Sequence, residues 1–488
     1  MRRVAPLAPI FLFLLSGCAV GPNYHRPSVP VAPAWKEQAP WRAATPQDSL
    51  PKGAWWSIFS DGELTQYEGQ ALKANQTIEA ARYQLGQARA SARITQSGLF
   101  PQFSAGVSAQ RSRTSANQPT ASGNPLTSPV TQNGFTVPFN LSWEADVFGG
   151  IRRSIESANA AYQSTGAALE NVRLVITSEL AVDYFSLREL DSEIAVVDSA
   201  VQYQGKALDL VRNRHAGGVA SGLDVAQQET QLNATRTQAT LLRRQRAEFE
   251  HAIAALVGVP ASSFSVAIKP LDVTAPAIPQ GVPSDVLERR PDIAQAERLM
   301  ASQNAQIGVA KGAFFPSIGI TGGGGLDSRA IGSLVSAPSA FWALGADVAQ
   351  AIFTGGRRKA QLDFATSAYG ASVANYRQTV LSAFQDVEDN LSGLNVLAQA
   401  AQTQQQAVEA AQRALKIAND RYTGGLVTYL DVVTAEQTLL DNQRLATQLL
   451  GQQLVTSVGL VKALGGGWDA SSLGALRLNT TAKQAFEP

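Results

Sequence analysis

The residues able to carry chemistry are few, and the first is Cys18, the single cysteine of a 488-residue chain. A lone cysteine makes no internal disulfide, and behind an export signal an unpaired thiol needs another use. Arg2 and Arg3 open the chain, and Leu7 to Leu15 form an apolar run too short to span a bilayer. The run ends in Leu15-Ser16-Gly17-Cys18, with small residues directly ahead of the cysteine. That pattern is a lipobox: cleavage before Cys18, an S-diacylglycerol thioether on its sulfur, and an N-acyl group on the new amino terminus. Several acyl chains hold a protein at a membrane where one does not. Ala19 rather than an aspartate follows, which in bacterial lipoproteins implies sorting to the outer membrane.

The second set lies in a stretch written twice. Arg214 to Leu232 reads RHAGGVASGLDVAQQETQL, and Arg421 to Leu439, 207 positions on, reads RYTGGLVTYLDVVTAEQTL. Gly217-Gly218 match Gly424-Gly425, Asp224 matches Asp431, and Glu229 matches Glu436. A glycine pair between two helix-compatible runs stops one helix before the next begins, so each copy is the turn of a helical hairpin. An aspartate just inside the second helix steadies its N-terminus, typically by about 0.3–1 kcal/mol.

Neither carboxylate has a catalytic partner in the sequence. His25, His215 and His251 are scattered, without metal-ligand spacing. Met1 and Met300 are the only methionines and make no thioether relay for soft metals. No Ser/His/Asp or Cys/His arrangement points to an enzyme. Thr321 to Gly325 lacks the Gly-Lys-Ser/Thr of a phosphate loop and falls in a strand pattern, where its glycines suit close backbone approach. Forty basic against 39 acidic residues give no electrostatic case for nucleic acid.

The elements that must position these turns change period along the chain. Residues 19–60 are rich in Pro and Trp and read as an extended strap, with Trp35, Trp41, Trp55 and Trp56 as docking points. From Asp61 to Gly98, Leu64, Leu72, Ile78, Leu85 and Ala92 recur at helical multiples. After Phe100-Pro101 the period becomes two: Phe103, Ala105, Val107 and Ala109, then Phe135, Val137, Phe139, Leu141, Trp143 and Ala145. Each run has about the length of a tilted membrane strand, and the Ser/Thr/Asn/Pro-rich loop over residues 114–133 suits an extracellular barrel loop.

Phe148-Gly149-Gly150 then opens a helix of about 65 residues ending at Ala216, on the order of 100 Å long. A helix of about 35 residues follows the first turn, and after a Pro-rich linker one of about 30 opens at Ser284. Laid end to end, those two match the long helix in reach. The design then recurs, with strands around Ile318-Ile320 and Trp342-Val348, a second long helix, the second turn and a last helix ending near Leu464. Arg152-Arg153 and Arg357-Arg358-Lys359 are expected where strands become helices, their heads at the interface. Arg243, Arg244 and Arg246 are expected on a solvated helix face. Four amphipathic strands cannot close a barrel, and lipid tolerates no open edge, so several chains must pool their strands.

Together, the LSGC box followed by VGPNYHRP, Trp55-Trp56, Arg290-Pro291-Asp292-Ile293 and the paired GG(V/L)-x-x-x-LDV turns resemble the TolC-like outer-membrane efflux factors, specifically their NodT-type lipoprotein branch. The resemblance implies an α+β membrane protein, a homotrimer whose pooled strands form a twelve-stranded transmembrane β-barrel continued by a long periplasmic α-helical barrel. It implies an internal two-fold repeat and these divisions: 1–17 signal peptide, 18–60 lipid-anchored strap, 61–270 first repeat, 271–283 linker, 284–467 second repeat, 468–488 tail. It implies a passive exit duct for small molecules, working with a periplasmic adaptor and an inner-membrane pump of the resistance-nodulation-division class. No cofactor is implied beyond the lipid on Cys18.

By the same resemblance the helical turns close the periplasmic entrance. Asp431 falls where an aspartate points into the pore, Asp224 on the acidic partner, and Tyr422 on the tyrosine of the bonds between hairpins. Gly217, Gly218, Val219, Gly424, Gly425 and Leu426 fall on the tips that meet the adaptor. Thr434 and Val427 stand where the best-known member has a second aspartate and an arginine latch, which leaves one acidic ring. A reading from another class remains beside it: a structural envelope lipoprotein, a coiled-coil spacer with soluble hairpins and no open channel.

Overall fold

The computed structural model describes residues 19–29, 34–36, 53–117, 128–273, 275–276, 289–468, 473 and 476. Cys18, Trp41 and the helix start expected at Ser284 lie outside the described residues.

A short 3-10 turn, Trp55–Phe59, leads into α1 (Gly62–Ala74) and α2 (Gln76–Ser97). The sequence reads as one helix here, but Asn75 splits it. Its backbone is extended (ψ 124°), and its side chain accepts from the Thr77 and Ile78 amides at 2.9 and 3.1 Å. A short amide side chain that can bond the next turn favours a cap over a helix interior.

The expected alternation forms an antiparallel sheet of β1 (Gln102–Ala105), β2 (Ser108–Arg113), β3 (Thr131–Glu144), β4 (Ser317–Ser328) and β5 (Ala340–Ala349). β1 and β2 lie in line along one edge of β3, and β4 and β5 follow on the other side. The first strand is interrupted at Gly106-Val107 because its neighbour there is Pro138, which accepts from the Gly106 amide at 3.0 Å but has no N–H to return. The register places Phe103, Leu141 and Leu344 in one row with Gly322, and Ala105, Phe139 and Trp342 in the next with Gly324. Gln102, Ser142, Thr321 and Gly345 share a row on the opposite face. One face is thus apolar and uncovered, with Trp342 84% and Leu344 72% exposed. The glycines act as expected: a Cβ on Gly325 would strike the Val137 carbonyl of β3.

The helices come in matched lengths. α3 (Gly150–Ala216) and α6 (Arg357–Thr423) each have 67 residues, α4 (Gly222–Leu256) and α7 (Tyr429–Ala463) each have 35, and α5 (Pro291–Gly312) has 22, like α2. α5 begins at Pro291 because Arg290 before it is extended and proline fits only the first turn.

The expected end-to-end pairing is also redrawn. α4 does not abut the helix that follows it in the chain; it abuts α2. Asn75 Nδ2 donates to the Leu256 carbonyl at 2.9 Å, and Gly258 (φ +79°) lies against Ala74 too closely for any side chain. In the same way α7 abuts α5, with Arg290 donating to the Ala463 carbonyl at 3.1 Å and Gly465 (φ +92°) against Arg289. α3 lies beside α5 toward the sheet and α4 toward the turn, as Ser157···Ser302 (2.9 Å) and Gln228 to the Gln204 carbonyl (3.0 Å) mark.

The principal core sits where these splices occur. Trp55, Phe59, Leu64, Leu180, Phe185, Ile253, Ile293, Met300, Val387 and Val458 close it as a belt across the middle of the long helices. The strap docks on it as expected: Trp35 packs edge-on against Phe384 at 6.0 Å, and Trp55 donates to Thr177 Oγ1 at 3.1 Å.

Two arginine expectations are corrected. Arg153 is buried, not at an interface. It reaches the Val20 and Gly21 carbonyls and Asn23 Oδ1 (3.2, 3.3 and 2.9 Å), tying the strap to the start of α3. Arg246 is no solvated residue either: it bonds Asp191 at 2.6 Å, the Val266 carbonyl at 2.7 Å and Glu250, while Arg188 holds the other Asp191 oxygen at 3.0 Å and Glu63 at 2.6 Å. Helical periodicity alone could not reveal this, since the loop that covers Arg246 comes from residues 266–269, beyond the helix itself.

Breaking a buried pair strands the remaining charge and costs ~3–5 kcal/mol, against ~0–1 kcal/mol for an exposed pair such as Arg243–Asp198. Arg246→Ala is therefore expected to lower the thermal midpoint of helical circular dichroism clearly, and Arg243→Ala hardly at all. Equal midpoints would remove the network from the stability of the fold.

Candidate functional site

The two glycine turns are built alike, and the backbone shows why each needs its second glycine. α3 ends with Gly218 N–H to the His215 carbonyl (2.9 Å) and Val219 N–H to the Arg214 carbonyl (2.8 Å). α6 ends with Gly425 to Tyr422 (3.0 Å) and Leu426 to Arg421 (2.9 Å). This pair of crossed bonds closes a helix through one left-handed residue. Gly218 at φ +75° and Gly425 at φ +73° supply it, while Gly217 and Gly424 stay at negative φ as the caps. The tips project Val219, 69% exposed, and Leu426, 72% exposed.

The next helix starts through a capping box. In the first turn Ser221 Oγ accepts from the Asp224 amide (3.2 Å) and Asp224 Oδ2 accepts from the Ser221 amide (3.0 Å). In the second, Asp431 Oδ2 accepts from both the Thr428 amide (3.1 Å) and the Thr428 hydroxyl (2.9 Å). Within one chain, both aspartates thus serve the helix starts, satisfying amides that the helix leaves unpaired. Asp431 sits exposed and Asp224 half-buried, each with oxygen capacity to spare.

The differences between the copies are what join the hairpins. His215 Nδ1 lies 2.9 Å from the Ala220 carbonyl and stays local to its own turn. Its counterpart Tyr422 packs on Tyr429, ring centroids 4.9 Å apart, and receives the Arg214 guanidinium over its face at 4.9 Å. That cation–π contact crosses from the first hairpin to the second and is worth ~0.5–1 kcal/mol at an exposed site. Burial raises the Tyr422 hydroxyl above its ordinary value and the Arg214 charge opposes the rise. Among the described residues the Tyr422 hydroxyl makes no bond to Asp224; Asp224 is held in its own capping box.

Two further ties across the seam were missed in the sequence, Asn419 Nδ2 to Tyr203 Oη (2.8 Å) and Gln231 to Gln437 (2.5 Å), together with an apolar plug of Val211, Tyr429 and Val432. The residues sit one helical turn apart on facing stripes, but nothing in a single sequence says which stripe meets which. The described residues include no cluster of His, Cys, Asp and Glu able to hold a metal ion.

The sequence profile of the outer membrane efflux protein family matches residues 69–259 and again 282–466. Over 467 residues the chain is 32% identical to the probable efflux pump outer membrane protein TtgC of Pseudomonas putida, covering 93% of this chain and 94% of that one. It is 31% identical over 469 residues to the pyoverdine export outer membrane protein OpmQ of Pseudomonas aeruginosa, covering 96% and 98%. Among solved structures, the outer-membrane channel OprN superposes with a TM-score of 0.85 at 28% identity, covering 92% of this chain and all of that one. The outer membrane channel CmeC of Campylobacter jejuni superposes with a TM-score of 0.85 at 25% identity, over 95% and 97%. With the sheet, the paired long helices and both glycine turns falling inside these matches, the chain belongs to the outer membrane efflux protein family.

Proposed function

We propose that this protein is the outer-membrane exit duct of a tripartite efflux pump, a homotrimer conducting small molecules handed over by an inner-membrane pump and a periplasmic adaptor. The observation that carries the reading is the open, two-faced sheet continuing into two 67-residue helices that end together in the paired turns. A sheet with one uncovered apolar face and two free edges suits lipid only if further copies complete it. Three copies of β1/β2, β3, β4 and β5 make a twelve-stranded barrel, and long helices of about 100 Å each reach far into the periplasm. Matched helix lengths in the two halves, and a family profile that matches twice, support an internal repeat divided near residues 271–283.

Acylation of Cys18 fits the same geometry. Ala19, the next residue, lies against Gly149 where the sheet gives way to α3, and the Val20 amide donates to the Phe148 carbonyl at 3.1 Å. A diacylglycerol group at that level sits beside the bilayer that the apolar sheet face requires. The pump partner is taken to be of the resistance-nodulation-division class, on the family resemblance. Function is transport, not catalysis.

The tips are the proposed gate and adaptor contacts. Six turns per trimer present Gly217, Gly218, Val219, Gly424, Gly425 and Leu426, and exposed Val219 and Leu426 offer the apolar part of a contact. The free oxygen capacity of Asp431, three times over, forms an acidic ring, with Asp224 and Tyr422 steadying the hairpins around it. Ringed carboxylates concentrate cations. In planar bilayers the wild-type protein is expected to give small, cation-preferring currents, and Asp431→Ala to enlarge them or weaken their block by divalent cations. Unchanged conductance and block would take Asp431 out of the gate, and no current from the wild type would leave a spacer in place of a duct.

Because strand pooling and not the lipid closes the barrel, Cys18→Ser is expected to lose its acyl chains by mass spectrometry yet run as a heat-labile trimer. A monomeric Cys18→Ser protein in membranes would sink that separation of roles.

A further inference from the structure

Above the turns, a cavity of about 510 Å³ opens between α3 of the first hairpin and α6 and α7 of the second. Leu415, Leu439 and Leu440 give it apolar walls, and Ser199, Gln443, Tyr203, Gln204 and Glu436 are its polar groups. Glu436 is 4% exposed, and neither of its carboxylate oxygens has a partner in hydrogen-bond geometry, although the Gln228 amide lies near enough to favour the anion; the side-chain oxygen of Gln204, a residue 1% exposed, has none either.

The repeat explains how that carboxylate came to be bare. In the first hairpin the matching Glu229 is paired with Arg212 at 2.5 Å. The position 207 residues after Arg212 is Asn419, and Asn419 turns to Tyr203 instead. The second hairpin thus carries the acid without the cation. The titratable groups that feel the Glu436 charge are Tyr203 and Tyr429, both neutral at ordinary pH, and neither supplies a cation. From α4 only the Gln228 amide acts on it. A buried carboxylate left this way loses its hydration without replacement.

We infer that this cavity is a binding site for a small amphiphilic organic cation, its ammonium donating to Glu436 and the bare Gln204 oxygen and its apolar body lying on the leucine wall. The volume is that of a small-molecule pocket, and apolar walls with a few convergent polar groups are the usual lining of one. Tyr203 adds an aromatic wall of the kind ammonium groups favour. A metal ion fits less well, because Glu436 is the one carboxylate in the lining and the described residues gather no further acid beside it, whereas a hard cation takes six or more oxygens, several of them charged. An occupant would touch both hairpins at once, α3 on one side and α7 on the other.

Charge sets the pH dependence. Burial pushes the Glu436 carboxyl from its ordinary 4.5 up to about 7, and the Gln228 amide opposes the rise. The anion that accepts the ammonium is present above that value and is lost as pH falls through it. An acid of that strength is about nine-tenths ionised one unit above and about one-tenth one unit below, so apparent affinity falls roughly tenfold between about pH 8 and pH 6.

The probe is phenethylammonium, titrated into the purified full-length protein in detergent, with binding read by calorimetry or saturation-transfer NMR and 2-phenylethanol as the uncharged control. Saturable binding of the ammonium is expected at pH 8, weakened roughly tenfold by lowering the pH to 6 and at least tenfold by Glu436→Gln and by Ala200→Phe, which fills the cavity without touching the charge. The alcohol should not saturate. No saturable binding, or equal binding by Glu436→Gln, or equal binding of the alcohol, would overturn the site. Trimers checked by size exclusion before titration keep a folding defect from being read as lost binding, and channel conductance, measured apart, bears on the duct and not on this cavity.

Discussion

A strand set against hydrocarbon must have every backbone N–H and C=O paired, and this requirement shapes the rest of the molecule. β3 and β4 are paired on both sides, whereas β1 with β2 and β5 each leave one edge open. The apolar row from Phe103 to Leu344 makes it impossible to leave that sheet in water as it stands. Two long helices leave this sheet at matching junctions, after Phe148-Gly149 and after Gly355-Gly356, and their equal lengths bring them to their glycine turns together.

Most of this was legible because its signals are local. The change from period two to helical spacing at Phe148, the Gly-Gly stops and the 207-residue recurrence are all readable within one window of sequence. The lengths of the four helices that flank the glycine turns follow with little error, since each ends where its stop signal stands. The turns were legible in their glycine stops and in the aspartate that opens each following helix. Their caps, Ser221 and Thr428, are just as local, since each bonds an aspartate three residues on.

What escaped depends on contacts between distant segments. Nothing near Leu256 says that its carbonyl meets Asn75, 181 residues earlier, instead of the helix after the linker. Nothing in the triplet Arg243, Arg244, Arg246 separates the residue that stays in solvent from the one that a loop 20 residues on will cover. Arg153 was assigned to an interface by its place beside a strand, and the strap that claims it comes from residues 20–23, on the far side of the sheet in sequence. In each case the side chain has two plausible fates of comparable local energy, and a remote backbone carbonyl decides between them. A missing N–H at Pro138 is the one long-range effect a reader of sequence could have foreseen, since proline carries its defect wherever it pairs.

The repeat adds a subtler lesson, because matching residue type does not mean matching environment. Glu229 and Glu436 occupy equivalent places on equivalent helices, yet one is half in water beside an arginine and the other is buried without a cation. The cause lies on the partner helix, where arginine has become asparagine, and on the neighbouring hairpin, where Tyr203 captures it. The same exchange of local for cross-hairpin bonding separates His215, which bonds its own turn, from Tyr422, which takes up Arg214. Two hairpins with identical backbones are thereby made unequal at their seam. The first keeps Arg212 and Glu229 paired within itself but lends Arg214 and Tyr203 to the second, where Tyr422 and Asn419 meet them. Separating the hairpins breaks the Arg214–Tyr422, Tyr203–Asn419 and Gln231–Gln437 contacts whichever of the two moves, and leaves the bonds inside each turn and its cap intact, because those are made between neighbours in the chain.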